Sequence, residues 1–124
     1  VKATGYTASA GSLSGGNQQK VVLAREVSRE PKILIAAQPT RGLDISAVEF
    51  VHRKLLESRD SGVAILMIST ELEECLSLSD RLAVMHQGRI MGVMNREEYD
   101  VEKIGLMIAG VHDGERKNED KTER

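Results

Sequence analysis

Residues 33–37 read Ile-Leu-Ile-Ala-Ala, and residues 63–68 read Val-Ala-Ile-Leu-Met-Ile. Continuous apolar runs of this length are typical of strands buried on both faces, as in parallel sheets. Between them, Ser46 and Glu49 stand at capping-box spacing and start a predicted helix that ends near Ser61. Its inward-facing residues are predicted to be Ile45, Val48, Val51, Leu55 and Leu56. Strand, helix and strand of these lengths form one crossover unit with parallel strands, which predicts an α/β fold.

Further elements are predicted on both sides of this unit. Ser14 is the natural N-cap of a helix that Pro31 stops near Arg29, and Thr70 with Glu73 repeats the capping-box spacing before a third helix. The remaining predictions are an antiparallel hairpin of strands 81–86 and 89–94 joined by Gln87-Gly88, and a helix over 100–109 that closes at Gly110.

Composition excludes several classes of function. The 124 residues carry 17 Lys plus Arg against 19 Asp plus Glu, a net charge of −2, and Phe50, Tyr6 and Tyr99 are the only aromatic residues. Neither a basic surface for phosphates nor an aromatic platform for bases is available, so no nucleic-acid partner is expected. No apolar run reaches the roughly 18–20 residues that cross a bilayer, and no export signal is visible, which predicts a soluble chain.

Cysteine and histidine usage gives no metal site. Cys75 is the only cysteine, so an intramolecular disulfide and a thiolate zinc site are excluded, and we interpret it as a small buried residue on a helix. His52, His86 and His112 show no metal-ligand spacing and are interpreted as surface or packing residues.

The stretch Leu13-Ser14-Gly15-Gly16-Asn17-Gln18-Gln19 places paired glycines directly after a capping Ser, at a helix start. Free backbone N–H groups, a hydroxyl and the positive end of the helix dipole converge there, where a phosphate could sit. This stretch resembles the signature motif of ATP-binding cassette (ABC) proteins, in the version used by simple-sugar and nucleoside importers. The resemblance implies that Ser14, Gly15, Gly16 and Gln18 contact the γ-phosphate of an ATP held by the opposite nucleotide-binding domain.

The resemblance continues along residues 33–44, with two departures. Ile33 to Thr40 is similar to the Walker B segment, but Ala37 stands where the family has its metal-associated Asp, and Gln38 where it has its catalytic Glu. Ala has no oxygen for a magnesium hydration shell, and an amide has no useful basicity near neutral pH. Asp44 aligns with the D-loop at the dimer interface, and helix N-capping is its alternative role.

A third departure follows the second strand. Ile68-Ser69-Thr70 aligns with the family's switch segment, in which a His normally reaches the γ-phosphate, and Thr70 takes that place. Thr70 is shorter and uncharged, so capping the third helix is its expected role. No Gly-x-x-x-x-Gly-Lys-Ser/Thr string occurs in the 124 residues, so a Walker A loop is missing from them.

The resemblance spans residues 13–110 and implies a partial P-loop NTPase (ABC ATPase) fold. This region is interpreted as the C-terminal half of a degenerate nucleotide-binding domain, the second of two in tandem, between an extended N-terminal segment or linker at 1–12 and a charged, disordered tail at 111–124. By itself it should be inactive, and one side of its strands should present an exposed apolar patch. ATP with Mg²⁺ would be held mainly by the partner domain.

The same resemblance implies that the parent protein is an ATPase on the cytoplasmic face of the cell membrane. Its partners would be membrane permease subunits and, indirectly, an extracytoplasmic binding protein. Two alternatives stay open: a non-catalytic regulatory or dimerisation module of the same fold, and a non-transport ABC ATPase. The intact signature argues against the first, and the absent catalytic acid and the balanced charge argue against the second.

Overall fold

The computed structural model describes residues 2, 5 and 7–111, whose helices and strands follow an α/β order. The helices are α1 Gly15–Val27, α2 Ile45–Asp60, α3 Leu72–Leu78 and α4 Val101–Ile108; the strands are β1 Ile33–Ala37, β2 Ala64–Ile68, β3 Arg81–His86 and β4 Arg89–Asn95. The chain divides into two compact units, Val1–Leu72 and Glu73–Arg124. The predicted tail lies outside the described residues apart from Val111.

The first unit contains the predicted crossover. Strands β1 and β2 pair in parallel, with Ile33 opposite Ala64 and Ala37 opposite Ile68. The core of this unit is made by Leu34 of β1 with Val51 and Leu55 of α2, and partly buried apolar residues surround it. A short 3-10 turn at Ala10–Ser12 replaces part of the extended segment expected at 1–12.

The strands of the first unit are not buried on both faces, so that prediction was wrong. Leu34 is 8% exposed, whereas Ile33 and Ile35 are 66% and 65% exposed, because α2 packs against one face of the sheet. On β2, Leu66 and Ile68 are exposed in the same way. These four side chains form an apolar sheet face, which confirms the expected exposed patch.

Helix α2 begins differently from the prediction. Asp44, not Ser46, is the N-cap, and its side chain accepts a hydrogen bond from the Ala47 N–H. The capping position lies two residues earlier than the capping-box spacing indicated. In the first turns of α2, Ala47 is 2% exposed and Ile45 is 80% exposed. The inward orientation predicted for Ile45 was wrong.

The second unit contains the predicted hairpin and terminal helix. Gln87 and Gly88 both adopt positive φ values, 47° and 76°, as a two-residue hairpin turn with right-handed twist requires. Ile104 of α4 is fully buried, and the other buried apolar residues of the unit are Leu82, Val84 and Met94. Asp100 caps α4, and Gly110 follows it at φ 87°. No helix in the described ranges is long and apolar enough to cross a membrane.

Candidate functional site

The tip of α1 presents the residues of the signature-like stretch. Ser14 is the N-cap, and its Oγ accepts hydrogen bonds from the Asn17 N–H at 3.4 Å and the Asn17 amide nitrogen at 3.1 Å. Gly15 is exposed, and a Cβ added to it would meet nothing within 4 Å among the described residues outside its own helix turn. Because the first N–H groups of a helix have no partner within the helix, the tip carries backbone donors beside a hydroxyl. Gln18 is also exposed and donates from Nε2 to the Leu13 carbonyl at 2.8 Å.

Gly16 differs from Gly15, because its missing side chain is needed for packing. A Cβ on Gly16 would lie 2.9 Å from the Cβ of Ala47 and 3.6 Å from Oδ2 of Asp44. The absence of a side chain at Gly16 therefore lets the start of α1 approach the start of α2. The sequence analysis predicted that both glycines let a phosphate approach the backbone. In the structure, Gly16 also allows α1 to pack closely against Ala47 of α2.

Replacing Gly16 by Ala is expected to lower the free energy of unfolding by about 1–3 kcal/mol, the usual cost of inserting a methyl group into a filled space. The matched control is Gly15→Ala, which places the same methyl group in open space one residue earlier and should leave stability unchanged or slightly raised. Denaturant unfolding of the two variants measures the difference. Equal stabilities would contradict the close contact with Ala47.

Asp44 lies beside this tip and has a structural role of its own. Its Oδ1 accepts hydrogen bonds from the Ser46 hydroxyl at 2.8 Å and from the Ala47 N–H at 3.0 Å. These two hydrogen bonds, first that from Ser46, lower the pKa of Asp44 below its ordinary value of 3.8, and the charge of Lys20 acts in the same direction. Asp44 is therefore an ionised cap at neutral pH, as its alternative interpretation predicted. Its D-loop role stays a prediction.

A second group of candidate residues, separate from the tip of α1, lies where β1 and β2 end; we call it the strand-end cluster. Ala37 is the last residue of β1, and its register partner is Ile68, the last residue of β2. Gln38 follows at φ 49°, a conformation that a residue before proline rarely adopts, and its N–H donates to the Ile68 carbonyl at 2.7 Å. The two strand ends are therefore joined across the sheet.

Gln38 and Thr70, two of the three departures from the family pattern, contact each other. Oε1 of Gln38 accepts from the Thr70 N–H at 3.3 Å and from its hydroxyl at 3.4 Å. The expected capping role of Thr70 was wrong, because α3 begins at Leu72 and the Thr70 hydroxyl is directed to Gln38 instead. An amide paired with a hydroxyl has no group that removes a proton from water near neutral pH.

The remaining candidates lie outside these two clusters. His86 contacts the Ile108 carbonyl through Nδ1 at 2.9 Å, His52 lies on α2, and His112 is not among the described residues. Cys75 lies on α3 and is half-buried, not buried as expected. Within residues 2, 5 and 7–111, no three His, Cys, Asp or Glu side chains are grouped as metal ligands.

Sequence reasoning missed one polar contact between the two clusters. Nε2 of Gln19 on α1 donates to the carbonyl oxygen of Pro39 at 2.8 Å, in a partly buried position. The contact joins residues that are far apart in the sequence, and no local pattern indicates it.

Comparison with known proteins finds relatives among ATP-binding proteins of import systems. It is 57% identical over 98 residues to the guanosine import ATP-binding protein NupO of Bacillus subtilis, covering 79% of this chain and 19% of NupO. It is 49% identical over 100 residues to the ribose import ATP-binding protein RbsA of Streptococcus agalactiae, covering 81% of this chain and 20% of RbsA. The chain thus spans about a fifth of the length of these relatives. No protein-family model matches it.

The fold is similar to that of solved ATP-binding cassettes. The cassette MJ1267 of an ABC transporter superposes with a TM-score of 0.72 at 26% sequence identity, covering 85% of this chain and 42% of MJ1267. The parallel pair, the crossover helix and the hairpin are therefore part of an ABC ATPase fold. The chain belongs to the same family as the ATP-binding proteins of ABC sugar and nucleoside importers.

Proposed function

We propose that the chain is part of the ATP-binding subunit of an importer for nucleosides or simple sugars, in which the tip of α1 completes an ATP site on an opposing domain. The observation that carries this proposal is the exposure of Ser14 and Gly15 at the helix tip, where, among the described residues, nothing beyond the glycine's own neighbours would lie within 4 Å of a Cβ on Gly15. The identity to the guanosine and ribose import proteins supports the importer class.

The chemistry of the tip fits a terminal phosphate. The N–H groups of Gly15 and Gly16 have no acceptor within the helix, and the dipole of the 13-residue helix α1 adds partial positive charge at the tip. The Ser14 hydroxyl accepts from Asn17 through its oxygen, so its hydrogen can be donated to a phosphate. Mg²⁺ bound with ATP supplies charge neutralisation at the phosphates. Donors fixed in advance stabilise the charge that develops on a transferring phosphoryl group.

The cluster at the strand ends fits hydrolysis poorly. Ala37 offers no oxygen to a magnesium hydration shell, and the Gln38 amide is engaged with Thr70. We therefore infer that the ATP site to which these residues belong does not split ATP, and that the chain alone has no ATPase activity. In this assignment Ser14, Gly15, Gly16 and Gln18 serve the opposing site, and Asp44 lies near the contact between the domains.

The partners follow from this assignment. A second nucleotide-binding domain, in tandem with this one, would anchor most of the ATP and its Mg²⁺. Permease subunits in the membrane and, through them, an extracytoplasmic binding protein would complete the importer, with the ATP-binding subunit on the cytoplasmic face. Residues 13–110 form the nucleotide-binding part in this proposal.

Replacing Gln38 by Glu is expected to leave the ATPase rate of the complete importer within about twofold of the original. The carboxylate keeps the acceptor for Thr70, so the loop should hold its conformation, but Ala37 still leaves the metal without a ligand group. Steady-state phosphate release measures the rate. A rise of tenfold or more would show that this site lacks only a base, and it would contradict the conclusion that Ala37 also prevents hydrolysis.

A further inference from the structure

The start of α1 is joined to the loop after β1 by a side chain that the signature-like function does not use. Gln19 lies one helical turn after Gly15, and its Nε2 donates to the Pro39 carbonyl at 2.8 Å. Pro39 is buried, and it directly follows Gln38. The hydrogen bond therefore connects the helix that carries the tip with the loop that carries the strand-end cluster.

The loop at the other end of this hydrogen bond is held firmly. The Gln38 N–H donates to Ile68 at 2.7 Å, the Leu43 N–H donates to Thr40 at 3.2 Å, and the ring of Pro39 fixes its own φ. Thr40 is buried as well. Because the loop is hydrogen-bonded to the end of β2, the position of the Gln19 side chain bound to it is set by the sheet.

Two further contacts bring α1 to α2 on either side of Gln19. Gly16 lies against Ala47, and Nζ of Lys20 lies 4.8 Å from the centre of the Phe50 ring. Neither contact is a hydrogen bond, so neither sets a donor–acceptor direction for α1, although the close fit at Gly16 limits how near the two helices come. The hydrogen bond from Gln19 to Pro39 requires a particular distance and direction, so it is suited to fix the rotation of α1 about its axis and its position along that axis, relative to the loop.

We propose that Gln19 is a positioning residue: its hydrogen bond to Pro39 sets the orientation of the α1 tip, and thereby the placement of the Ser14 and Gly15 donors against the phosphate. The inference rests on the proposed function of that tip. Displacing a catalytic group by about 1 Å can cost roughly 100-fold in rate. The loss of one of several contacts that hold α1 should cost less, about tenfold.

The test uses the complete importer with Gln19→Met, which keeps the length of the side chain but has no donor, and Gln19→Glu, whose carboxylate repels the carbonyl of Pro39. Both should lower kcat for ATP hydrolysis about tenfold, with KM for ATP unchanged because other residues anchor the nucleotide. The matched control is Ser58→Ala, which removes a partly buried hydrogen bond of the same length, 2.8 Å, from the Ser58 hydroxyl to the Lys54 carbonyl in the same unit.

Melting temperatures separate positioning from general weakening. Gln19→Met and Ser58→Ala should lower the melting temperature to a similar extent, while only the Gln19 variants lower kcat. An unchanged kcat in the Gln19 variants, or an equal loss in Ser58→Ala, overturns the inference. A Gly15→Asp importer assayed beside them separates the two proposals: if it is inactive while Gln19→Met is normal, only the positioning role fails, and if it is normal, the function of the tip fails and the inference with it.

Discussion

A complete importer carrying Gly15→Asp is expected to hydrolyse ATP at least about 100-fold more slowly than the original, because a fixed negative charge would oppose the donors that stabilise the developing charge, at a cost at least as large as losing one such donor. The new side chain would start at the first residue of α1, where, in the part of the chain that the structure describes, a Cβ meets nothing beyond its own helix and chain neighbours within 4 Å. An acidic residue at a helix start is favourable for the helix itself. The loss of activity would therefore come from repulsion of the phosphate and not from unfolding.

The matched control for this variant is Gly15→Asn, which has nearly the same size and no charge. It should retain much more activity than Gly15→Asp, and both variants should keep the melting temperature of the original protein. Phosphate release and calorimetric melting measure the two quantities. A near-normal rate in Gly15→Asp would remove the assignment of this tip to an ATP site.

The second large effect that we expect is self-association of the purified chain through the apolar sheet face. Ile35 and Leu66 are register partners on this face and are 65% and 55% exposed. Contiguous exposed apolar surface favours association, so the purified chain should self-associate. Replacing both residues by Lys should make the chain monomeric at the same concentration, as measured by size-exclusion chromatography with light scattering.

In the complete protein, the same double Lys variant should be destabilised instead of becoming better behaved in solution. We expect this face to be covered there, because the chain spans about a fifth of its relatives and 42% of the cassette MJ1267. Two lysines buried without partners cost on the order of several kcal/mol each, so the protein should fail to fold or should melt much earlier. The control is Ile45→Lys, which makes the same change at a residue that is 80% exposed on α2. Equal behaviour of the two variants in the complete protein would show that the face stays open.

The predictable features of this chain are those that depend on local pattern. The cap at Ser14 follows from a short polar residue before a periodic helix, and the turn at Gln87-Gly88 follows from the need for positive φ between two strands. The parallel pairing of β1 and β2 follows from two apolar runs separated by a helix. These signals require no knowledge of distant contacts.

The features that sequence reasoning missed depend on packing between distant residues. Ser46 and Asp44 are both good capping residues, and N-capping was the alternative role predicted for Asp44; the spacing of Ser46 and Glu49 did not decide between them, and the structure has Asp44 as the cap. The contact of Thr70 with Gln38 competes with helix capping and has no local signature. An apolar run also looks the same whether one face or both are covered, so the pattern of β1 alone indicated burial on both faces; the exposure of Ile35 was expected only because the resemblance covers part of a domain.

The connectivity of the two strand pairs has a consequence for the order of folding. In the second unit, β3 and β4 are neighbours along the chain, and a hairpin of this kind closes in about 1–10 μs. In the first unit, Ile33 meets Ala64 only after the whole of α2 has been placed between them, so the entropy of closing a long loop precedes any gain from pairing. During synthesis, β1 is therefore complete before its partner strand exists, and its apolar side chains remain unpaired until α2 and β2 have been made.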